Sequence, residues 1–221
     1  MKLTEIKDKI PNEIYEILTK DINELRPSQS KAINAGLLDR KNLLVCTPTA
    51  SGKTLIAELC ATKAILGRVG KAIYIVPLKA LASEKYKDFT SKYGKLFKIG
   101  ISVGDKDKAD SRLGEYDFLF VTSEKLDALL RHSSPWIKYI ATVIVDEIHL
   151  INDPTRGPTL EILLTMLKQL LPNAQIIGLS ATIGNPKELA SWLDATLVTD
   201  DWRPVTLERG IYFKGEIIFN E

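Results

Sequence analysis

Short apolar runs rich in β-branched residues punctuate this chain at Asn42–Cys46, Ala72–Val76, Lys98–Ser102, Phe118–Val121, Thr142–Val145 and Gln175–Leu179. Most are near-continuous in apolar character rather than alternating, which is how strands covered on both faces are written. Helical stretches separate several of them. Leu78–Tyr93 carries apolar residues at Leu78, Leu81, Ala82, Tyr86, Phe89 and Tyr93, and Gly157–Leu171 sets Leu160, Leu163, Leu164, Leu167 and Leu171 on one helical face. The pattern predicts an α/β fold, a mainly parallel sheet with crossover helices packed on it. Two lead-in helices are expected before the first strand, over Asn12–Glu24 and Ser28–Arg40, divided at Arg26-Pro27 with Ser28 as N-cap. The end, Trp202 to Phe219, reads as strand-like with no helix following it.

Composition excludes several classes. With 45% hydrophobic and 26% charged residues among 221, and no biased tract, the chain is neither disordered nor a coiled coil, and one globular domain is expected. Lys and Arg number 30 against 28 Asp and Glu, so global charge gives no strong field for a polyanion. Charge is instead local: Lys79 to Lys108 holds eight Lys against four acids, either a track for phosphates or a solvated helix face. The polar stretch Gly104–Glu115 is expected to be a surface loop or short helix. No run reaches the ~18 apolar residues of a membrane span, and the start lacks the apolar core of a signal peptide, so a cytoplasmic protein is expected. Cys46 and Cys60 have no paired spacing, and their distances in sequence from each other and from His132 and His149 do not suit zinc; both cysteines read as small buried hydrophobes.

The strand Asn42–Cys46 runs straight into Thr47-Pro48-Thr49-Ala50-Ser51-Gly52-Lys53-Thr54, and Leu55–Leu66 then reads as a helix. Strand, loop and helix in that order aim consecutive backbone N–H groups and a helix N-terminus at one point, which suits a polyphosphate. In such a site Gly52 permits close backbone approach, Lys53 reaches the β- and γ-phosphates, and Thr54 holds Mg²⁺. The general pattern asks for glycine where this chain has Thr47, so the motif rests on its context, the alternative being a chance Gly-Lys-Thr at a helix start. Further along, the strand Thr142–Val145 ends in Asp146-Glu147-Ile148-His149. A carboxylate at the carboxyl end of a buried parallel strand stands where open α/β sheets bind ligands, so Asp146 can bind Mg²⁺ and Glu147 can orient and deprotonate a water. The alternatives are a solvated acidic turn and, for His149, an ordinary hydrogen-bonded histidine rather than a coupling residue.

These residues resemble superfamily-two helicases, and among them the Ski-two-like group, over nearly the whole chain. The resemblance implies a RecA-like P-loop NTPase domain of three layers. Arg26-Pro27-Ser28-Gln29 is similar to the Q motif, in which Gln29 would read the adenine edge, and Pro48 to Thr54 matches the helicase form of the phosphate loop. Pro77-Leu78-Lys79-Ala80-Leu81 and Val121-Thr122-Ser123-Glu124-Lys125 resemble motifs Ia and Ib, which hold the nucleic-acid backbone in relatives. Asp146-Glu147-Ile148-His149 is the DExH form of motif II, and Ser180-Ala181-Thr182 is similar to motif III, which links ATP state to strand grip. Arg156-Gly157-Pro158-Thr159-Leu160-Glu161 resembles a segment that Ski-two-like proteins carry just after motif II. Details such as Asp201-Trp202-Arg203-Pro204-Val205 look closest to the archaeal Hjm-type DNA repair helicases. Read from the residues alone, Thr122 or Ser123 can equally be a plain N-cap, and Ser180 and Thr182 can cap a turn toward Gly184.

The resemblance implies ATP and Mg²⁺ as cofactors, single-stranded or branched DNA as partner, and a 3′-to-5′ DNA helicase of repair and stalled forks. It divides the chain into a lead-in segment 1–24, a helicase ATP-binding domain 25–201, and an exit strand 202–221 toward a second RecA-like domain. That second domain supplies an arginine finger in relatives, and no such motif follows Thr182 here. The isolated chain is therefore expected to be a monomer that binds ATP, hydrolyses it slowly and does not unwind. An RNA helicase of the superkiller type and a non-helicase P-loop ATPase or nucleic-acid-binding module are the alternative readings.

Overall fold

The computed structural model describes residues 1–104, 111–205, 210–213 and 215–219, without the side chains of residues 111, 213 and 216–218. Seven strands form one sheet: β1 (Leu43–Cys46), β2 (Lys71–Val76), β3 (Ile99–Ser102), β4 (Phe118–Thr122), β5 (Ile140–Val145), β6 (Gln175–Ser180) and β7 (Thr196–Thr199). Their order is β3-β4-β2-β5-β6-β1-β7, and every neighbouring pair is parallel. The helices are α1 (Asn12–Leu18), α2 (Pro27–Asn34), α3 (Lys53–Leu66), α4 (Lys79–Tyr93), α5 (Ser123–Arg131), α6 (Gly157–Leu170) and α7 (Pro186–Trp192).

Alternate residues of each strand feed two different cores, which is why the strands read as continuous apolar runs. Leu43 and Val45 of β1 pack with Ile14, Ile33, Ile56 and Phe89 from α1 to α4. Leu44 and Cys46 pack on the other face with Leu126, Leu163 and Leu189 from α5, α6 and α7. The result is three layers, helix, sheet and helix. Each fully buried Leu, Ile or Phe contributes about 1.5–3 kcal/mol by leaving water, so both helical layers are held by burial rather than propensity. At the edge near β2, the rings of Tyr74, Phe89, Phe118 and Phe120 form a cluster with centroids 4.9–6.4 Å apart. That cluster fixes Tyr74, whose hydroxyl reaches the site described below.

The lead-in region departs from expectation. Helix α1 stops at Leu18 because residues 23–25 run back along the chain's start: Leu3 N donates to Asn23 O and Leu25 N to Met1 O, both within 3.0 Å. Helix α2 starts one residue earlier than predicted, with Pro27 at its first position and Arg26 before it. Gln29 Oε1 accepts from Arg26 N at 2.8 Å, so glutamine ties down the helix start and Ser28 is free to bond elsewhere. Gly36, at φ +99°, ends this helical stretch before a 3-10 turn at Leu37–Asp39. Strand β7 escaped the sequence reading: it is a four-residue edge strand in which Val198 alone is buried, so it lacks a continuous apolar run. Helix α3 starts at Lys53 and α4 at Lys79, within two residues of expectation.

Residues 210–213 and 216–219 form an antiparallel pair, β8 (Gly210–Phe213) and β9 (Glu216–Phe219), separate from the main sheet. Residues 105–110, half of the predicted loop Gly104–Glu115, lie outside the described residues, and with them Lys106 and Lys108 of the basic run; Ser111–Glu115 is a 3-10 turn. No helix among the described residues is long and apolar enough to cross a membrane.

Candidate functional site

All parallel strands deliver their following loops to one edge of the sheet, and the predicted motifs meet there. The loop after β1 folds over itself: Thr47 N donates to Ser180 O at 3.2 Å, and Thr47 Oγ1 and Ser51 Oγ share a hydrogen bond of 2.7 Å. Lys53 Nζ donates to the carbonyls of Thr47 at 2.8 Å and Pro48 at 3.0 Å, spanning the mouth of the loop. Ala50 and Gly52 both sit in left-handed backbone, at φ +65° and +94°. At Gly52 the demand for glycine is double, since a Cβ there would lie 2.3 Å from Gln29 Nε2.

Residues 26–29 brace this loop from outside. Arg26 Nη1 donates to Ala50 O, Ser28 Oγ to Ser51 O at 3.0 Å, and Gln29 Nε2 to Gly52 O at 3.0 Å. Three successive loop carbonyls are thus taken up by one helix start. Gln29 was singled out from sequence, whereas the bracing by Arg26 and Ser28 was not. Trp202 lies over the Arg26 guanidinium, 5.6 Å from it, and so backs the same brace. Beside the loop opens a cavity of about 690 Å³ whose wall includes Gln29, Gly52, Thr54, Glu58 and Lys85. Glu58 is 5% exposed, accepts from Tyr93 Oη at 2.7 Å and lies 3.3 Å from Lys92 Nζ. Burial, then Glu58, pushes the Tyr93 hydroxyl far up.

Asp146 and Glu147 follow β5, two strands from β1. Asp146 N donates to Ile75 O at 2.9 Å, which extends the sheet ladder by one bond and fixes the carboxylate at the strand end. Its Oδ1 accepts from Glu147 N at 3.1 Å, and its Oδ2 accepts from Tyr74 Oη at 3.1 Å and lies 3.4 Å from Lys85 Nζ. Burial, and next the Asp146 charge, push the Tyr74 hydroxyl well up, so it stays a donor to the carboxylate. Burial pulls the Lys53 ammonium below the ordinary lysine range, and the charges of Glu147 and Asp146 oppose that pull. Glu147 occupies left-handed backbone at φ +48°, a conformation that costs a non-glycine residue about 1 kcal/mol and that clusters at functional sites. Its Oε2 lies 3.4 Å from His149 Nδ1. Of the third motif, Ser180 ends β6 beside Cys46 and receives Thr47 N, while Ala181 is partly buried and Thr182 is exposed.

A second cavity, about 460 Å³, brings Pro77, Leu78, Lys79, Thr122 and Arg156 onto one wall. Ser123 and Lys125 are each 8% exposed and lie at the start of α5 rather than on that wall, with Thr122 Oγ1 accepting from Lys125 N at 3.4 Å. Pro77 and Arg156 also line a small cleft with Ser123, Asp146 and Glu147, so the groove adjoins the acidic pair directly, whereas the cavity beside Gly52 reaches Asp146 through Lys85. Asp153 builds the approach to α6: its Oδ1 accepts from Thr155 N and Arg156 N at 2.9 Å and from Thr155 Oγ1 at 2.6 Å. Those bonds, Thr155's hydroxyl first, hold the Asp153 carboxyl down at about 2. Gly157 completes the turn, because a Cβ there would lie 2.1 Å from Ile151 O.

Comparison with known proteins places these motifs in context. The chain is 49% identical to the ATP-dependent DNA helicase Hel308 of Pyrococcus horikoshii over 222 aligned positions, all of this chain and 30% of that protein. It is 57% identical to the protein of the same name from Methanocaldococcus jannaschii, over 94% of this chain and 18% of that one. The chain thus spans under a third of the length of these curated relatives. Among solved structures, the DUF1998 helicase MrfA bound to DNA superposes with a TM-score of 0.77 at 26% identity, over 88% of this chain and 30% of that chain. The DEAD/DEAH box helicase profile matches residues 26–189, the stretch that runs from the loop brace through α7's first residues, and the chain belongs to that family.

Proposed function

We propose that this chain is the N-terminal ATP-binding motor domain of an ATP-dependent 3′-to-5′ DNA helicase that works in DNA repair and at stalled forks. The observation that carries the proposal is that the phosphate loop, the acidic pair and the groove of Lys79, Thr122 and Arg156 all lie at the carboxyl edge of one parallel sheet. The phosphate loop and the cavity beside Gly52 and Thr54 lie on one side, and the groove of Lys79, Thr122 and Arg156 on the other. A triphosphate site that reaches Asp146 through Lys85, and a strand groove that reaches Asp146 and Glu147 through the cleft of Pro77 and Arg156, suit a motor. The DNA-helicase names of the relatives support DNA as the strand; polarity and the repair role follow from the resemblance to Hjm-type proteins.

The residues fit Mg²⁺ and ATP. Gly52 leaves the loop backbone without a side chain at its closest turn, and the Asp146 carboxylate already draws a cation, Lys85, to 3.4 Å. Thr54 and Asp146 would hold Mg²⁺, which when bound neutralises phosphate charge. Lys53 binds the β/γ end, Gln29 the adenine edge, and Glu147 positions the attacking water and takes its proton. His149 and Ser180 to Thr182 couple the nucleotide to the strand. Residues 25–201 form this domain, preceded by a lead-in segment at 1–24 and followed by an exit segment at 202–221 toward a second RecA-like domain. Residues 1–221 alone act as a cytoplasmic monomer whose turnover lacks an arginine finger, a deficit of roughly 10³ to 10⁵ in rate.

The test is binding of a fluorescent ATP analogue and of matched single-stranded DNA and RNA. The proposal expects Lys53→Ala to abolish nucleotide binding, Glu147→Gln to retain it, and DNA affinity to respond to the nucleotide. Preference for RNA of the same sequence would point to contacts with the 2′-hydroxyl and overturn the DNA assignment. Strand binding that ignores both substitutions and the nucleotide would mark a binding module instead.

A further inference from the structure

Lys85 is a feature of the nucleotide cavity that the motif residues do not explain. It stands in the second turn of α4, lines the cavity shared with Gly52 and Thr54, and keeps 19% of its side chain exposed. Its ammonium lies 3.4 Å from Asp146 Oδ2 and 5.3 Å from the centre of the Tyr74 ring. The carboxylate it faces is 10% exposed and also accepts from Tyr74 Oη and Glu147 N. A carboxylate so withdrawn from water needs a counter-charge; Lys53 acts on it only at longer range, its ammonium being hydrogen-bonded to the carbonyls of Thr47 and Pro48, and Lys85 is the cation in ion-pair contact.

We propose that Lys85 is the resident counter-cation of Asp146, paired with a carboxylate that would otherwise hold a divalent metal, so that metal binding with nucleotide would compete with it. Lys85 is thus a positioning residue: it holds the Asp146 carboxylate in place through the ion pair and sets how much a metal would gain by binding. The ring of Tyr74 steadies the ammonium at that post, and the open side of the cavity gives it somewhere to go. This inference rests on the nucleotide-site reading above.

The experiment titrates the 221-residue chain with a fluorescent methylanthraniloyl-ADP, once with EDTA and once with saturating Mg²⁺, and takes the ratio of the two affinities. With the competing ammonium removed in Lys85→Met, Mg²⁺ should strengthen nucleotide binding about two- to fivefold more than in the unaltered chain, the scale of a partly exposed ion pair. Lys85→Gln should behave alike, so a folding defect in one variant does not decide the matter, and Lys85→Arg should keep the original ratio. In an Asp146→Asn background Lys85→Met should change the ratio no further. An unchanged ratio, or equal weakening in EDTA and Mg²⁺ as expected of a phosphate ligand, overturns the proposal while leaving the nucleotide site intact. Absence of probe binding by the unaltered chain overturns both.

Discussion

Replacing Gly52 by Ala tests how the loop is held. The new Cβ would fall 2.3 Å from Gln29 Nε2, so the amide must leave, giving up its bond to Gly52 O and its acceptance from Arg26 N. Two hydrogen bonds of a group that is 4% exposed are worth about 1 kcal/mol each. Placing Ala in left-handed backbone at φ +94° adds about 1–2 kcal/mol, of which about 0.5 kcal/mol returns as lost freedom of the unfolded chain. The expected loss is about 3 kcal/mol, which lowers the melting temperature by roughly 6–12 °C in a domain of this size. Gln29→Ala alone should cost about 2 kcal/mol by losing the same two bonds. The double variant is therefore expected to be about 2 kcal/mol more stable than the sum of the singles predicts, because the clash and the lost bonds are one event. Urea unfolding followed by circular dichroism measures all four corners of the cycle. Additive losses would refute the claim that Gln29 braces the loop through Gly52.

Tyr74→Phe removes the hydroxyl that donates to Asp146 and should cost about 1 kcal/mol in thermal unfolding while leaving the aromatic cluster packed; a gain in stability would show that the buried hydroxyl is a burden. Asp153→Ala should loosen the turn before α6 and weaken single-stranded DNA binding measured by fluorescence anisotropy, leaving nucleotide affinity unchanged. The same acid has a pH signature. Because its carboxyl is held at about 2, below the ordinary value near ~4, it binds fewer protons folded than unfolded between those values. Its contribution is present above pH ~4 and lost as pH falls through about 2, so the parent and Asp153→Ala should differ at neutral pH and converge in acid.

The phosphate loop and the acidic pair were legible in the sequence because each is contiguous: residues 47–54 and 146–149 carry their chemistry within a few positions, and the strand before each is a plain apolar run. The sheet was legible for the same reason, with the exception of β7, whose half-exposed edge position needs no continuous apolar stretch. What stayed hidden depends on partners far apart in the chain. Ser28 has a good capping side chain, yet Gln29 caps α2 instead, and Ser28 bonds a carbonyl 23 residues away. Tyr74 read as one more apolar strand residue, although its hydroxyl meets Asp146 72 residues later. Lys85 was one lysine in a basic run, and nothing local distinguishes the one that turns inward from those that face solvent. Sequence grouped Ser123 and Lys125 with Thr122 as strand contacts; all three are buried at the start of α5, and Thr122 also lies on the groove wall.

The central claim is that one acidic pair serves both a nucleotide and a strand, and turnover of Mg²⁺-ATP with and without single-stranded DNA tests it most directly. The unaltered chain should bind ATP and hydrolyse it slowly, and Glu147→Gln should still bind while its residual turnover falls by roughly 10² or more. Brisk hydrolysis stimulated by DNA would contradict the claim that residues 1–221 alone form an incomplete motor. Turnover that survives Glu147→Gln unchanged would contradict the role given to the acidic pair itself.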